Sequence, residues 1–346
     1  MHFLQVVSLF VVSYILSASA APLMKRKPSR PACPQNVPLL EAEQLYVDDP
    51  AGYRSPFWNF GASDEVRMGG TPGYNPDSTR WNQATNSPSQ AGPQLNNSAF
   101  RAPEYYSGAN RDRILSLKTY PWNTVGRVSF KRFKGDKGGW CTGTLVGRDL
   151  ILTASHCFPW GYGDDRWMRF SPGFANDTEP YGGSYVSRCR GVKNTFNVTG
   201  IDYVVCHLCQ PLGEKVGWMG TRWWKDESVY MGRSWSSSGY PVDSYNGQAQ
   251  MFIPSINFFE IEYHADLGVE LESLTFASAG WSGGPTWGYL DGQPTIVGVC
   301  SGAERDCSER VGGCLSSDTE DYHDVSAGGK LMTDLVLYAM HQWRSG

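Results

Sequence analysis

No apolar run beyond the first twenty residues is long enough to cross a bilayer as a helix, which excludes such spans from the body of the chain. A basic excess is also missing: 30 Lys and Arg stand against 34 Asp and Glu, a formal net charge of −4, and nothing in that balance favours a polyanion such as nucleic acid. No grouping of His, Cys, Asp and Glu has the spacing of a metal site. Cys206-His207-Leu208-Cys209 has CxxC form, but in an exported chain disulfides take precedence over zinc or redox chemistry. Neither a metal nor a cofactor is therefore expected. Helical patterning is absent ahead of residue 282, and 39 glycines with 13 tryptophans point to a loop-rich protein built from strands.

What is present begins with the run Phe3 to Leu16, followed by Ala18-Ser19-Ala20 before Ala21. This reads as a secretory signal peptide over residues 1–20 and so predicts an extracellular protein with no membrane attachment once the leader is removed. Nine cysteines then imply an oxidising compartment and a disulfide framework. Asn96, Asn176 and Asn197 each open a glycosylation sequon. Residues 21–113 are rich in Pro, Gly, Asn and Ser and read as a pro-region or a disordered extension, with basic processing sites at Lys25-Arg26, Arg111 and Arg113. Removing everything before Ile114 would delete Cys33 and leave an even number of cysteines.

The chemistry centres on Ala279-Gly280-Trp281-Ser282-Gly283-Gly284-Pro285. A serine among small, turn-forming residues keeps its hydroxyl reachable, and acyl transfer then needs a histidine base and a carboxylate to orient it. Thr153-Ala154-Ser155-His156-Cys157, at the end of the apolar run Leu150-Ile151-Leu152, supplies the base, and Asp202, opening a β-branched run, supplies the acid. The order His156, Asp202, Ser282 with these three motifs resembles the chymotrypsin-like serine proteases. The segment from Asp112 to Val128 is similar to the opening of the secreted glutamyl-endopeptidase branch.

That resemblance implies an all-β protein: two six-stranded antiparallel β-barrels with a C-terminal α-helix packed on the second. It places a serine protease domain at 114–346, the first barrel at about 122–215, the second at about 228–325 and the helix at about 328–344. It further implies an oxyanion hole from the N–H groups of Gly280 and Ser282, a disulfide between Cys141 and Cys157, and a supporting role for Ser301 beside the aspartate. The remaining cysteine pairings stay open, Cys189 with Cys206 or Cys209 among them. The activity implied is hydrolysis of peptide bonds through an acyl-enzyme, with protein or peptide substrates and proteinaceous inhibitors as partners. His207 and His264 lack motif context and are expected to be structural.

Two other readings fit parts of the sequence. A chymotrypsin-fold binding protein without activity needs no triad, and Gly280-Trp281-Ser282-Gly283-Gly284 also satisfies the G-x-S-x-G elbow of α/β-hydrolases, with Asp321 or Asp324 and His341 as partners. The chain also departs from the patterns it resembles. Trp281 stands where enzymes activated by a new amino terminus carry aspartate. Phe276 occupies the pocket position that holds aspartate in trypsin-like enzymes, and Cys300 replaces the histidine associated with glutamate preference. With Phe276, Cys300 and Ser301 around the substrate, the sequence predicts an uncharged residue before the scissile bond.

Overall fold

The structure is a computed structural model that describes residues 40–45, 70–77, 112–114, 117–193, 198–264, 268–275, 277–305 and 322–343. These belong to one compact unit, Cys33–Gly346; the other unit, Met1–Ala32, lies outside the described residues, as does the signal-peptide reading.

The first sheet uses β1 (Glu41–Leu45), β4 (Val125–Lys131), β5 (Gly139–Gly147), β6 (Leu150–Thr153), β7 (Trp167–Pro172), β8 (Ser184–Val192) and β9 (Val204–Leu208), in the order β1-β8-β7-β4-β5-β6-β9. A further pairing of β8 with β9 closes β4 to β9 into a six-stranded barrel. β6 and β9 are buried throughout, and mostly apolar, because both of their faces are covered. Ile151, Val204 and Cys206 face the barrel interior with Val128, Leu145 and Phe170, while Leu150, Leu152 and Val205 pack outward.

The second sheet contains β2 (Gly70–Thr71), β3 (Asp112–Arg113), β10 (Gly220–Arg222), β11 (Trp235–Gly239), β12 (Met251–Ile256), β13 (Phe258–His264), β14 (Gly268–Ser273), β15 (Pro285–Leu290), β16 (Gln293–Arg305) and β17 (Tyr322–Gly328). Its main path is β13-β14-β17-β16-β15-β11-β12-β3. β12 and β13 are joined through Asn257 alone, so one bent stretch of chain links the two ends of the barrel-forming path. Two short helices, α1 (Gly213–Val216) and α2 (Ser228–Met231), sit in connections, and α3 (Lys330–Gln342) closes the described chain.

Two findings add to the sequence-based expectations. Residues 21–113 do not stand wholly apart: β1 pairs in parallel with β8, β2 pairs with β10, and β3 pairs with β12. Burial of Leu40 and Leu45, together with ion pairs from Glu41 and Glu43 to Arg188 and Arg190, holds β1 in place although the flanking composition is poor in apolar residues. The terminal helix, expected on the second barrel, also lies against β6 and β9 of the first. Leu331, Met332, Leu335, Val336 and Ala339 form the buried stripe that meets Leu152 and Val205, so α3 ties the two sheets together.

Candidate active site

β6 ends at Thr153, Ala154 continues extended, and a single 3-10 turn, Ser155–Cys157, turns His156 out of the barrel. Two interactions hold the turn. Cys157 is disulfide-bonded to Cys141 on β5, and Trp160 Nε1 donates to the Ser155 carbonyl at 2.9 Å.

Asp202 lies just ahead of β9 and is fully buried. Its Oδ1 accepts the His156 backbone N–H at 2.9 Å, and its Oδ2 lies 2.6 Å from His156 Nδ1. The same Oδ2 accepts the hydroxyl of Ser301 at 2.6 Å, from β16 of the other sheet. A carboxylate on Nδ1 fixes the tautomer that leaves Nε2 as the imidazole's free basic nitrogen. The His156 side chain remains 24% exposed, so the ring can be reached from solvent.

The segment carrying Ser282 is locked by its own backbone and by the first barrel. Trp281 N–H donates to Ser278 O, Gly284 N–H to Trp281 O, and Gly283 N–H to Cys300 O at 2.7 Å. Thr142, next to the bridged Cys141, donates its N–H to Ser282 O at 2.8 Å and its hydroxyl to Gly280 O at 2.8 Å. Cys157 Sγ is 3.8 Å from the same Ser282 carbonyl, so the disulfide beside His156 abuts the serine from the second sheet. Trp281 is fully buried, with Nε1 donating to Ser237 Oγ at 2.8 Å, and anchors the loop in the second core. Gly280 adopts φ +93°, a conformation that favours glycine. Among the described residues, neither the Gly280 N–H nor the Ser282 N–H has an acceptor within the chain, whereas those of Trp281, Gly283 and Gly284 do. Two such donors side by side can receive an oxyanion.

The structure thus brings His156, Asp202, Ser282, Gly280 and Ser301 to one junction between the sheets. Cys300 is buried, and its main chain pins Gly283 and Gly284. Phe276, Asn96 and Asn197 lie outside the described residues, while Asn176 sits in an exposed turn at φ +47°. Cys189 is bonded to Cys206, one of the two pairings left open, and Cys209 is disulfide-bonded to a partner outside the described residues. His207 is buried against Ser187 Oγ at 2.8 Å and lies away from this junction, on the strand behind it; the side chain of His264 is not described. Cys141, His156 and Cys157 lie close enough to suggest a metal site, but both sulfurs are consumed in the disulfide. Thr142 was not legible in the sequence: a threonine after a cysteine in a strand carries no signal that its hydroxyl grips a loop from another sheet.

The trypsin family model matches residues 118–315, more than half of the chain, and spans all three motifs. The chain belongs to the trypsin family. Among curated relatives of this trypsin-family protein, the glutamyl endopeptidase of Bacillus licheniformis is 26% identical over 200 residues, covering 56% of this chain and 57% of the relative. The extracellular metalloprotease of Bacillus subtilis is 30% identical over 141 residues, covering 40% of this chain and 44% of the relative. The chain spans about half the length of the curated relatives it matches. A solved Glu endopeptidase in complex with MPD aligns with TM-score 0.48 at 19% identity, over 66% of this chain and 96% of the other. The mainly antiparallel sheets of this trypsin-family chain also remove the α/β-hydrolase alternative, which needs a parallel sheet; among the described residues only β1 with β8 and β10 with β16 run parallel.

Proposed function

We propose that this protein is a secreted serine endopeptidase in which Ser282 is the nucleophile, His156 the general base and acid, and Asp202 the group that orients His156. The observation that carries the reading is the Asp202 carboxylate, fully buried and shared by His156 Nδ1 and the Ser301 hydroxyl beside the loop of Ser282. Ser282 Oγ attacks the amide carbonyl carbon as its proton passes to His156 Nε2, and the resulting oxyanion is received by the Gly280 and Ser282 N–H groups. The C–N bond then breaks and the leaving amine takes the proton from His156. Water, deprotonated by the same nitrogen, hydrolyses the acyl-enzyme and restores the serine.

Export is supported by the leader-like residues 1–20 and by the bridges Cys141–Cys157 and Cys189–Cys206, which persist only outside a reducing cytosol. No helix of the described residues is long and apolar enough to cross a membrane. Maturation belongs to the same proposal. A processing cut at Lys25-Arg26 would keep β1 to β3 in the chain that follows, whereas a cut at Arg111 or Arg113 would sever β1 and β2 from it, so the strand pairing favours the former. Exposure of Asn176 is compatible with glycosylation there.

The test is labelling with a fluorophosphonate probe together with hydrolysis of casein. Wild type is expected to do both, and Ser282→Ala to lose labelling and about a millionfold in turnover. Casein hydrolysis by Ser282→Ala at the wild-type rate would refute the assignment, and a wild-type protein that neither labels nor cleaves would be the inactive binding protein instead.

A further inference from the structure

Beside the Ser282 loop the first barrel holds an arginine, Arg127, that makes no ion pair and no side-chain hydrogen bond among the described residues. On β4 Val128 points into the barrel, so Arg127, like Val125, points outward to the junction of the two sheets. There its guanidinium carbon lies 4.5 Å from the ring centre of Trp140 and 4.9 Å from that of Phe174. Nε is buried without an acceptor, whereas the two Nη groups are not buried and keep their N–H bonds open to solvent. Burial lowers the pKa of the guanidinium, with Asp177 and Tyr240 opposing that shift. Asp177 itself is held elsewhere, by Gln248 Nε2, which donates to its Oδ1 at 2.9 Å.

Trp140 joins this cation to the reaction centre. A Cβ on Gly247 or on Gly280 would lie 2.4 or 2.7 Å from Trp140 Nε1, so the indole edge is gripped between these two backbones, and Nε1 donates to Tyr240 O at 2.8 Å. The ring is thereby held in place, with Arg127 over its face and Gly280, an oxyanion donor in the proposed reaction, at its edge. Trp140 also precedes Cys141, whose bridge to Cys157 lies beside His156, the group that hands its proton to the leaving amine. The opposite flank of the Ser282 loop is occupied by β16, where Cys300 O accepts the Gly283 N–H. Arg127 thus lies on the side toward which the leaving segment runs, and at about 3.3 Å per residue an extended peptide carries its first two leaving residues past it.

We propose that Arg127 is a specificity residue for the leaving segment, where it receives the carboxylate of an aspartate or glutamate among the first two residues after the scissile bond. This assignment rests on the endopeptidase reading. A guanidinium already held on two aromatic faces loses little further freedom on pairing, and hydrogen bonds between ionised groups are stronger than neutral ones. A lysine or arginine at the same place would meet a like charge.

The experiment measures kcat/KM on fluorogenic peptides identical up to the scissile bond and carrying Glu, Gln or Lys at the first or second residue after it. In wild type Glu is expected to exceed Gln by about tenfold at one of these positions, with Lys lowest, and the advantage to shrink as ionic strength rises. Arg127→Gln is expected to bring the Glu-to-Gln ratio to about one, and Arg127→Lys, which keeps the charge, to hold it above that of Arg127→Gln. Each ratio is taken within one protein sample, so partial misfolding of a variant cancels. A wild-type ratio within about twofold of one at both positions, or equal ratios in Arg127→Gln and either wild type or Arg127→Lys, overturns the assignment. Fluorescence anisotropy of the labelled Glu and Gln peptides on Ser282→Ala protein, with and without Arg127→Gln, needs no turnover. Tighter binding of the Glu peptide, lost on adding Arg127→Gln, supports the subsite even where the wild type neither labels nor cleaves, an outcome that refutes only the endopeptidase reading; equal affinities overturn the subsite itself.

Discussion

Gly280→Ala tests the oxyanion hole most directly, because its steric consequence can be worked from the structure. A Cβ at this position would lie 2.4 Å from the Tyr240 carbonyl oxygen and 2.7 Å from Trp140 Nε1. These two groups are hydrogen-bonded to each other at 2.8 Å, and Thr142 fixes the Gly280 carbonyl, so neither side of the clash yields cheaply. At φ +93° the side chain also carries a backbone penalty of about 1–2 kcal/mol. The least costly relief is rotation of the peptide between Ala279 and Gly280, which turns the N–H away from the site. Loss of one such donor costs on the order of 100- to 1,000-fold in kcat, about 2.7–4 kcal/mol of barrier. The strain alone, at about 2 kcal/mol, lowers Tm by roughly 4–8 °C in a domain of this size. Gly292→Ala separates the two effects: its φ is +76° but no atom lies within 4 Å of the added Cβ, so it carries only the backbone penalty. Turnover on a chromogenic peptide, normalised by active-site titration, and calorimetric Tm should be compared for both variants. The expected result is a Tm loss in each and a large kcat loss in Gly280→Ala alone. If Gly280→Ala keeps kcat within threefold of wild type, the Gly280 N–H is not an oxyanion donor.

Two further predictions follow from the buried polar groups. Ser301→Ala removes the 2.6 Å bond to Asp202 and is expected to lower kcat/KM roughly tenfold, chiefly through kcat; steady-state kinetics within twofold of wild type would show that Asp202 needs no third donor. Glu272 is raised from 4.5 to about 7, chiefly by burial, with Glu260, Glu304 and Glu262 adding to the rise and His323 opposing it. Between these values the folded chain holds a proton that the unfolded chain has released. The stabilisation from this group is therefore complete below about pH 4.5 and lost as pH rises to about 7. Glu272→Gln should flatten that limb of a Tm-against-pH curve, and an unchanged slope would contradict the assignment.

Much of the site was legible before folding was considered. The histidine turn, the aspartate and the serine loop each consist of contiguous residues whose identities are dictated by local chemistry: a turn that exposes Ser282, a glycine at a left-handed φ, a cysteine beside His156. The short-strand character was legible as well: the apolar run Leu150-Ile151-Leu152 forms the body of β6, Leu150–Thr153. Composition gave no sign of β1, because that strand is held by pairing with β8, and a five-residue strand with two glutamates carries little hydrophobic signal of its own.

The sequence by itself therefore determined which side chains are candidates for the chemistry and that they sit among short antiparallel strands, because those properties reside in contiguous residues and their alternation. Only the tertiary structure decided what else meets across the chain: Thr142 on the Ser282 loop, β1 along β8, and α3 against both sheets. Strand register is the physical reason. A shift of one residue in β17 would put His323 where Asp324 now meets Thr275, and that register is fixed by long-range pairing with β14 and β16, which no local pattern encodes.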